Sequence, residues 1–316
     1  MQEIPNKLLP GGLWPVMLTP FSDDSTIDYD GLKTLTEYYI SVGANGLFTN
    51  CFSSEMYQLS EEERYMLTKA VVDFSNGRVP VISTGSFNSN PSICADFVKK
   101  MYDQGVDAVI LVSSILVEEN EDDDTLKKKL EIILRSTGNI PLGMYECPVP
   151  YKRLISTEMM KWLADTGKFI CHKDTSCKAN IIKEKIEAVK GSSLKVYDAH
   201  TPDALTSMQS GAHGLTPISA NFWPELYTLF LQLFHTGDLE QLKRLNDKMV
   251  AMDFTVHQQY YPWAAKAFLR KRGLKIQTHT RVPQNVAKKS DLFSLEALYK
   301  EFEKVFNEFN VDGIHV

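Results

Sequence analysis

Short apolar segments recur along this chain, and a longer segment with helical spacing of its apolar residues follows each of them. Apolar runs of this length, bounded by turn residues, are typical of buried strands. Eight such runs stand at residues 12–19, 46–50, 80–84, 108–113, 140–146, 169–174, 194–199 and 214–219. Strands that alternate with helices favour a parallel sheet, and eight such units in about 210 residues predict an α/β fold, a closed (β/α)8 TIM barrel.

The chain continues beyond the eighth run with a stretch that has only helical spacing. Its length of 316 residues is enough for one barrel with additional helices. We predict a (β/α)8 barrel over residues 1–232 and a C-terminal helical region over residues 233–316. The first helix after Phe222 is expected to close the barrel, and the others are expected to form a small appendage.

Charge and cysteine usage restrict the classes of partner. The formal net charge is -6, so the chain has no general attraction for nucleic acid or anionic membranes, and neither is expected as a partner. The N-terminus shows no basic region followed by a long apolar run, so no signal peptide is expected. The five cysteines are scattered and form no CxxC pair, which disfavours a disulfide framework and a structural zinc site. We expect a cytoplasmic protein.

A lysine stands at the end of the sixth apolar run, FICHKD. Because strand side chains alternate between faces, Phe169, Cys171 and Lys173 share one face. Barrel enzymes carry their chemistry at the C-terminal ends of the strands, where Lys173 would lie. A partly apolar site lowers the pKa of an amine, and the neutral amine can form a Schiff base with a carbonyl. The alternative is a core lysine paired with a carboxylate on an adjacent strand.

A tyrosine ends the preceding run, IPLGMYE. Gly143 and Tyr145 share a face there, and the glycine is expected to leave room below the ring. If this face and that of Lys173 both point inward, the hydroxyl of Tyr145 can move protons beside the lysine amine. The alternative is a packed aromatic residue whose hydroxyl is satisfied elsewhere.

Acidic and histidine side chains near the same strand ends suggest a different kind of site. Such carboxylates can hold Mg²⁺ for proton abstraction. The candidates are Glu146, His172, Asp174, Asp198 and His200. However, Glu146 and Asp174 point away from the barrel axis if Tyr145 and Lys173 point toward it, so we expect no metal site.

These segments resemble the dihydrodipicolinate synthase / N-acetylneuraminate lyase family of class I aldolases, here in a divergent member. GMYECPVP resembles the tyrosine strand of the family, FICHKDTS its lysine strand, and SGAHGLTPISANFWPE its eighth strand and exit. The resemblance extends from about Leu13 to Gly273. It implies that Lys173 is the Schiff-base lysine and Tyr145 the proton relay. It also implies a homotetramer or homodimer, and no cofactor, since the imine itself is the electron sink.

The substrate loop of the family usually reads G-T-T-G-E or G-S-T-G-E and binds the carboxylate of a 2-keto acid. The corresponding residues 51–55 read CFSSE. Ser53 keeps the second hydroxyl, Phe52 replaces the first, and Ser54 replaces the glycine. The resemblance implies that Ser53 and Ser54 contact the substrate; the alternative for Ser53 is an ordinary loop serine. It also implies two further substrate-contacting residues, Ala199 on the seventh strand and Thr216 on the eighth.

Other departures concern the second substrate. Ile115 and Leu116 stand where synthases of the family have a tyrosine pair, and Pro150 stands where they have an arginine. These departures disfavour a true dihydrodipicolinate synthase. The expected function is a Schiff-base lyase or aldolase that cleaves or forms a carbon–carbon bond of a 2-keto acid, with pyruvate as the three-carbon unit and an aldehyde as the other partner. The alternatives are a sugar-acid dehydratase that uses the same imine, a true synthase, and a non-catalytic keto-acid-binding paralogue.

Overall fold

The computed structural model describes residues 8–282 and 289–311. The strands in this part of the chain are β1 (Gly12–Leu13), β2 (Leu47–Thr49), β3 (Val81–Thr84), β4 (Ala108–Val112), β5 (Leu142–Tyr145), β6 (Phe169–Asp174), β7 (Lys195–Asp198) and β8 (Gly214–Leu215). The helices are α1 (Tyr29–Ser41), α2 (Glu61–Ser75), α3 (Pro91–Tyr102), α4 (Ser113–Leu116), α5 (Asp123–Thr137), α6 (Thr157–Asp165), α7 (Ala179–Ala188), α8 (Ala204–Gln209), α9 (Pro224–Thr236), α10 (Leu239–Val256), α11 (Trp263–Lys271) and α12 (Lys289–Glu308).

All eight predicted strands are present, although the first and last are shorter than expected. The runs at residues 12–19 and 214–219 contain Pro15 and Pro217, which lack the backbone N–H that a strand ladder requires. The regular strands β1 and β8 accordingly end before these prolines. In contrast, β6 covers all six residues of the predicted run.

The described residues divide into two compact units, residues 8–11 with Pro80–Thr216 and Gly12–Val79 with the described residues from Pro217 onward. The first unit holds β3–β8 and α3–α8, and the second holds the other strands and helices. The predicted boundary between residues 232 and 233 falls within α9, which continues to Thr236 and ends at Gly237 in the left-handed conformation. The division into a barrel and a C-terminal helical region otherwise stays a prediction.

The strands of the first unit are parallel and pair in chain order from β3 to β8. In this register Val112, Tyr145, Lys173 and Tyr197 stand side by side on consecutive strands. Residues in register on parallel neighbours share a face of the sheet. The fold therefore places the predicted tyrosine and lysine next to each other.

The second unit has an aromatic core built largely by its C-terminal helices. Phe268 of α11 lies 5.7 Å from Trp223 and 5.3 Å from Phe302 of α12, measured between ring centroids. These side chains are buried. Rings at these distances add to the stability that burial of their apolar area provides.

Neither membrane-spanning helices nor disulfides are found in the described residues. No helix there has both the length and the apolar character that are required to cross a bilayer. All five cysteines are free thiols, and four of them are buried.

Gly143 on β5 is required by close packing. A Cβ atom at this position would lie 2.4 Å from Cys171 Sγ and 2.5 Å from Ile110 Cδ1. These are its neighbours in register on β6 and β4. The room that the glycine was expected to leave below Tyr145 is therefore filled by the core.

We expect Gly143→Ala to destabilise the protein by about 1–3 kcal/mol, because the added methyl group overpacks this contact. Urea unfolding of the single variant and of Gly143→Ala/Cys171→Ala would measure the effect. The double variant should lose less stability than the sum of the two single changes, since it removes the Cys171 sulfur. A Gly143→Ala variant as stable as the parent would contradict the packing argument.

Candidate active site

Lys173 and Tyr145 form a contacting pair at the C-terminal ends of β6 and β5. Lys173 Nζ lies 4.7 Å from the centroid of the Tyr145 ring. Both side chains are buried, with 8% and 4% of their surface exposed. An ammonium group over an aromatic face is a favourable contact. The structure thus brings together the two residues that the sequence predicted to act together.

The opposite face of the same strand ends carries a buried charged cluster. Lys185, from α7, donates to Glu146 Oε1 and to Asp174 Oδ2, the latter at 2.6 Å. His172 Nε2 lies 3.5 Å from Glu146 Oε1 and 3.9 Å from Asp174 Oδ2. All four side chains are buried. The alternation argument is therefore supported, since these carboxylates face a helix and not the side of Lys173.

The cluster keeps both carboxyl groups ionised. Burial alone would raise the pKa of Glu146 and of Asp174, but His172 and Lys185 outweigh it and hold both pKa values below their ordinary range. Burial would likewise lower the pKa of His172, but the two carboxylates raise it overall. The cluster therefore favours the protonated form of His172.

The metal alternative is not favoured by this arrangement. Ligand atoms of Glu146, His172 and Asp174 do lie within 4.8 Å of one another, as a metal site would require. However, the Lys185 ammonium contacts both carboxylates, where a cation would bind. His200 lies apart from this cluster and pairs with Asp203 at 2.8 Å.

Sequence reasoning missed Lys185, although a signal was present. Lys185 lies on α7 between Ile182 and Ile186, which are both buried. Residues three and four positions apart share one face of a helix, so the lysine lies on the apolar stripe. A lysine in that position is expected to have a buried partner.

Thr216 and Ala199, two predicted substrate contacts, follow β8 and β7 in the first unit. The backbone N–H of Thr216 donates to Asp198 O at 2.7 Å, and that of Ala199 donates to Asp174 O at 3.1 Å. The Thr216 hydroxyl is buried and has no hydrogen-bond partner among the described residues. It is therefore available to a ligand.

The segment Cys51–Glu55 lies in the second unit. Its two serines differ in the hydrogen-bond partners of their hydroxyl groups. Ser54 Oγ donates to Met17 O at 2.6 Å and accepts from Cys51 N at 3.0 Å, so its hydroxyl is used to hold the loop. Ser53 Oγ instead lies 2.7 Å from the hydroxyl of Tyr261. Sequence reasoning did not identify Tyr261, which is about two hundred residues away in the chain.

Glu55 fixes the far end of this loop within the same unit. Its Oε1 accepts from Lys266 Nζ at 2.7 Å, and its Oε2 accepts from the Thr280 hydroxyl and from Arg281 N, each at 2.6 Å. Glu55 and Lys266 are fully buried. The loop conformation thus depends on residues from the C-terminal third of the chain.

A sequence model of the dihydrodipicolinate synthetase family matches residues 9–302. The chain belongs to this family. The predicted resemblance is confirmed, and the chain is a member of a lyase family.

Relatives in the family are distant. A 4-hydroxy-tetrahydrodipicolinate synthase 1 from Halalkalibacterium halodurans is 27% identical over 274 residues, covering 86% of this chain and 90% of the relative. A 4-hydroxy-tetrahydrodipicolinate synthase from Methanococcus maripaludis is 26% identical over 268 residues, covering 84% of this chain and 86% of the relative.

Solved structures of the family confirm the predicted (β/α)8 fold with its C-terminal helices. Dihydrodipicolinate synthase from Bacillus anthracis superimposes with a TM-score of 0.84 at 23% identity, covering 92% of this chain and 97% of that chain. The chloride-inhibited enzyme from Acinetobacter baumannii, complexed with pyruvate, gives a TM-score of 0.83 at 24% identity, covering 92% of this chain and 98% of that chain.

In this member of the dihydrodipicolinate synthetase family, Ile115, Leu116 and Pro150 occupy the positions that the sequence analysis associated with a second substrate. Ile115 and Leu116 belong to the short helix α4, and Leu116 is fully buried. Arg153, three residues beyond Pro150, donates to Asp123 Oδ1 at 2.8 Å and to Glu121 O at 2.7 Å. Its guanidinium group is thus held by the protein itself.

We expect Lys185→Met to destabilise this family member by about 3–5 kcal/mol, because the change leaves two buried carboxylates without their cation. Lys190→Met is a matched control, since Lys190 pairs with Glu187 on the surface with 72% of its side chain exposed. The control should change stability by less than about 0.5 kcal/mol in urea unfolding. Equal effects of the two variants would contradict the buried cluster.

Asp198 gives a pH-dependent prediction. Burial raises the pKa of Asp198 to about 7, and its Oδ2 has no hydrogen-bond partner among the described residues. The folded state binds the proton of this carboxyl group more tightly than the unfolded chain does. The proton therefore adds to the free energy of unfolding below about pH 4, and this added stability is lost as the pH rises to about 7.

Asp198→Asn removes this titration. The free energy of unfolding of the variant, relative to the parent, should therefore increase between about pH 4 and pH 7 by an amount of the order of 4 kcal/mol, and then level off. Urea unfolding at a series of pH values measures this difference. A difference that does not change with pH would show that folding leaves the pKa of Asp198 unchanged.

Proposed function

We propose that this chain is a Schiff-base (class I) lyase or aldolase that cleaves or forms a carbon–carbon bond of a 2-keto acid, with pyruvate as the three-carbon unit. The observation that carries the proposal is the contact between Lys173 and Tyr145 at neighbouring strand ends. Membership in the family supports it. Two structural relatives, from Acinetobacter baumannii and Escherichia coli K12, are described in complex with pyruvate.

In the proposed mechanism the neutral amine of Lys173 attacks the keto carbon. Loss of water from the adduct gives an imine, and its protonated nitrogen accepts the electron pair of the carbon–carbon bond that breaks. Tyr145 gives its phenol proton to the hydroxyl that leaves as water, and the resulting phenolate then takes the proton from the substrate hydroxyl that becomes the aldehyde, which restores the phenol. Neither a metal ion nor an organic cofactor is needed for these steps, because the imine is the electron sink.

Four residues are proposed to bind the substrate or to shape its site. We propose that the Ser53 hydroxyl binds the substrate carboxylate, and that Ser54 contributes by shaping the loop. The free hydroxyl of Thr216 and the backbone at Ala199 are proposed to contact the remainder of the substrate. We further propose that the protein is cytoplasmic and that it forms a homotetramer or homodimer. Sedimentation analysis would test the oligomeric state.

The alternatives differ in their products. A sugar-acid dehydratase would form the same imine but release water, and a true dihydrodipicolinate synthase would condense pyruvate with an aldehyde. A non-catalytic paralogue would bind a keto acid without turnover. Analysis of the products formed from a panel of 2-keto acids distinguishes these cases. The side chains at Ile115, Leu116 and Pro150 favour the lyase over the synthase.

The first test is reduction with sodium borohydride in the presence of pyruvate, followed by peptide mapping. We expect a reduced pyruvyl adduct on Lys173, and none after Lys173→Arg, because the guanidinium group of arginine does not form the imine. Lys168→Arg is the matched control, since Lys168 immediately precedes the same strand at its other end. It should retain the adduct.

Tyr145→Phe refines this test. It should slow cleavage by a factor of about 10²–10⁴, because the proton carrier is lost, while the adduct still forms. If no 2-keto acid gives an adduct on Lys173, the proposed function is wrong.

A further inference from the structure

We infer that Tyr261 is a positioning residue that orients the Ser53 hydroxyl as a hydrogen-bond donor for the carboxylate of the 2-keto acid. This inference rests on the proposed function, because it concerns the same substrate. The residues that carry it all lie in the second unit, and they form a chain of hydrogen bonds from Tyr39 through Asn221 and Tyr261 to Ser53.

The orientation of the Asn221 amide is fixed by a backbone carbonyl. Asn221 Nδ2 lies 2.7 Å from Val16 O, which can only accept a hydrogen bond. The amide nitrogen must therefore face this carbonyl, and the amide oxygen accepts from the hydroxyl of Tyr39 on its other side. Asn221 is fully buried, so both ends of its amide need these partners.

This orientation determines the direction of the next two hydrogen bonds. The second hydrogen of Asn221 Nδ2 is donated to the Tyr261 hydroxyl at 2.6 Å. A phenol has one proton, and the only remaining partner described for this hydroxyl is Ser53 Oγ, at 2.7 Å. Tyr261 therefore donates to Ser53, since the reverse direction would leave the phenol proton buried without an acceptor.

The protonation state of Tyr261 agrees with this direction. Burial raises the pKa of Tyr261 well above its ordinary value. The hydroxyl thus keeps its proton at neutral pH and remains a donor.

Ser53 is left with a proton of its own to donate. A serine hydroxyl has one O–H donor and two acceptor positions. Tyr261 uses an acceptor position, and the described contacts of Ser53 Oγ include no acceptor for its proton. Ser53 is buried, with 3% of its surface exposed. A buried donor of this kind favours a ligand that only accepts, such as an ionised carboxylate.

The sequence of the loop makes the hydrogen bond from Tyr261 to Ser53 more important. Phe52 has no hydroxyl and the Ser54 hydroxyl holds the loop, so Ser53 has the one hydroxyl of residues 52–54 that is left for a ligand. A hydroxyl that already accepts a hydrogen bond is polarised and donates more strongly. Tyr261 would thus orient and strengthen the one hydroxyl that remains, without touching the substrate itself.

The test compares Tyr261→Phe with Tyr227→Phe. Tyr227 is a matched control because its buried hydroxyl also pairs with a serine, Ser219 Oγ, at 2.6 Å in the same unit. The readout is borohydride trapping on Lys173 as a function of ligand concentration, with pyruvate and with methyl pyruvate, which lacks the carboxylate charge.

For Tyr261→Phe, we expect the half-saturating concentration of pyruvate to rise about tenfold, since a charge-assisted hydrogen bond is weakened. The trapping rate at saturation and the response to methyl pyruvate should stay near the parent values. Tyr227→Phe should leave the trapping of both ligands on Lys173 unchanged. A merely structural role would weaken trapping of both ligands, which would overturn the inference.

A double-variant comparison tests whether Tyr261 acts through Ser53. Tyr261→Phe should add little to the effect of Ser53→Ala on pyruvate, because both changes remove the same donor. Additive effects, or an unchanged response of Tyr261→Phe to pyruvate, would overturn the inference.

Calorimetric titration with pyruvate separates this inference from the proposed function. Pyruvate binding that weakens in Tyr261→Phe, without any adduct on Lys173, would reject the imine chemistry and support the inference. If the parent protein neither binds pyruvate nor forms an adduct, both are wrong.

Discussion

The parallel register of β5 and β6 is the constraint on which the rest of the candidate site depends. It pairs Tyr145 with Lys173, so the two side chains meet on one face of the sheet. Alternation along the strands then sends Glu146 and Asp174 to the opposite face. A shift of one residue in either strand would turn the tyrosine or the lysine of that strand to the opposite face and separate the pair.

The two buried lysines of this region have different surroundings. Lys185 contacts two buried carboxylates, and this arrangement satisfies three charges that would otherwise be costly to bury. Lys185 is thus a paired core lysine, the kind of residue that was the alternative for Lys173. Lys173 contacts the aromatic face of Tyr145 on the neighbouring strand.

The C-terminal part of the chain is more than an appendage, because its side chains contact the 51–63 segment within the second unit. Tyr261 contacts Ser53, Lys266 contacts Glu55, and Arg281 contacts Glu63 with its guanidinium group. These side chains hold the 51–63 segment from one side. Because buried polar groups must be satisfied, the loop and the C-terminal helices are constrained to one another within this unit.

The sequence by itself determined the alternation of strands and helices and the family, and it predicted that Tyr145 and Lys173 act together. These follow from local periodicity and from short motifs, since strand alternation acts over neighbouring residues. Only the tertiary structure decided the partners of Lys185, the commitment of the Ser54 hydroxyl to its own loop, and the contact of Tyr261 with Ser53. Hydrogen bonds and ion pairs between distant residues depend on distance and direction in space, which linear spacing does not encode.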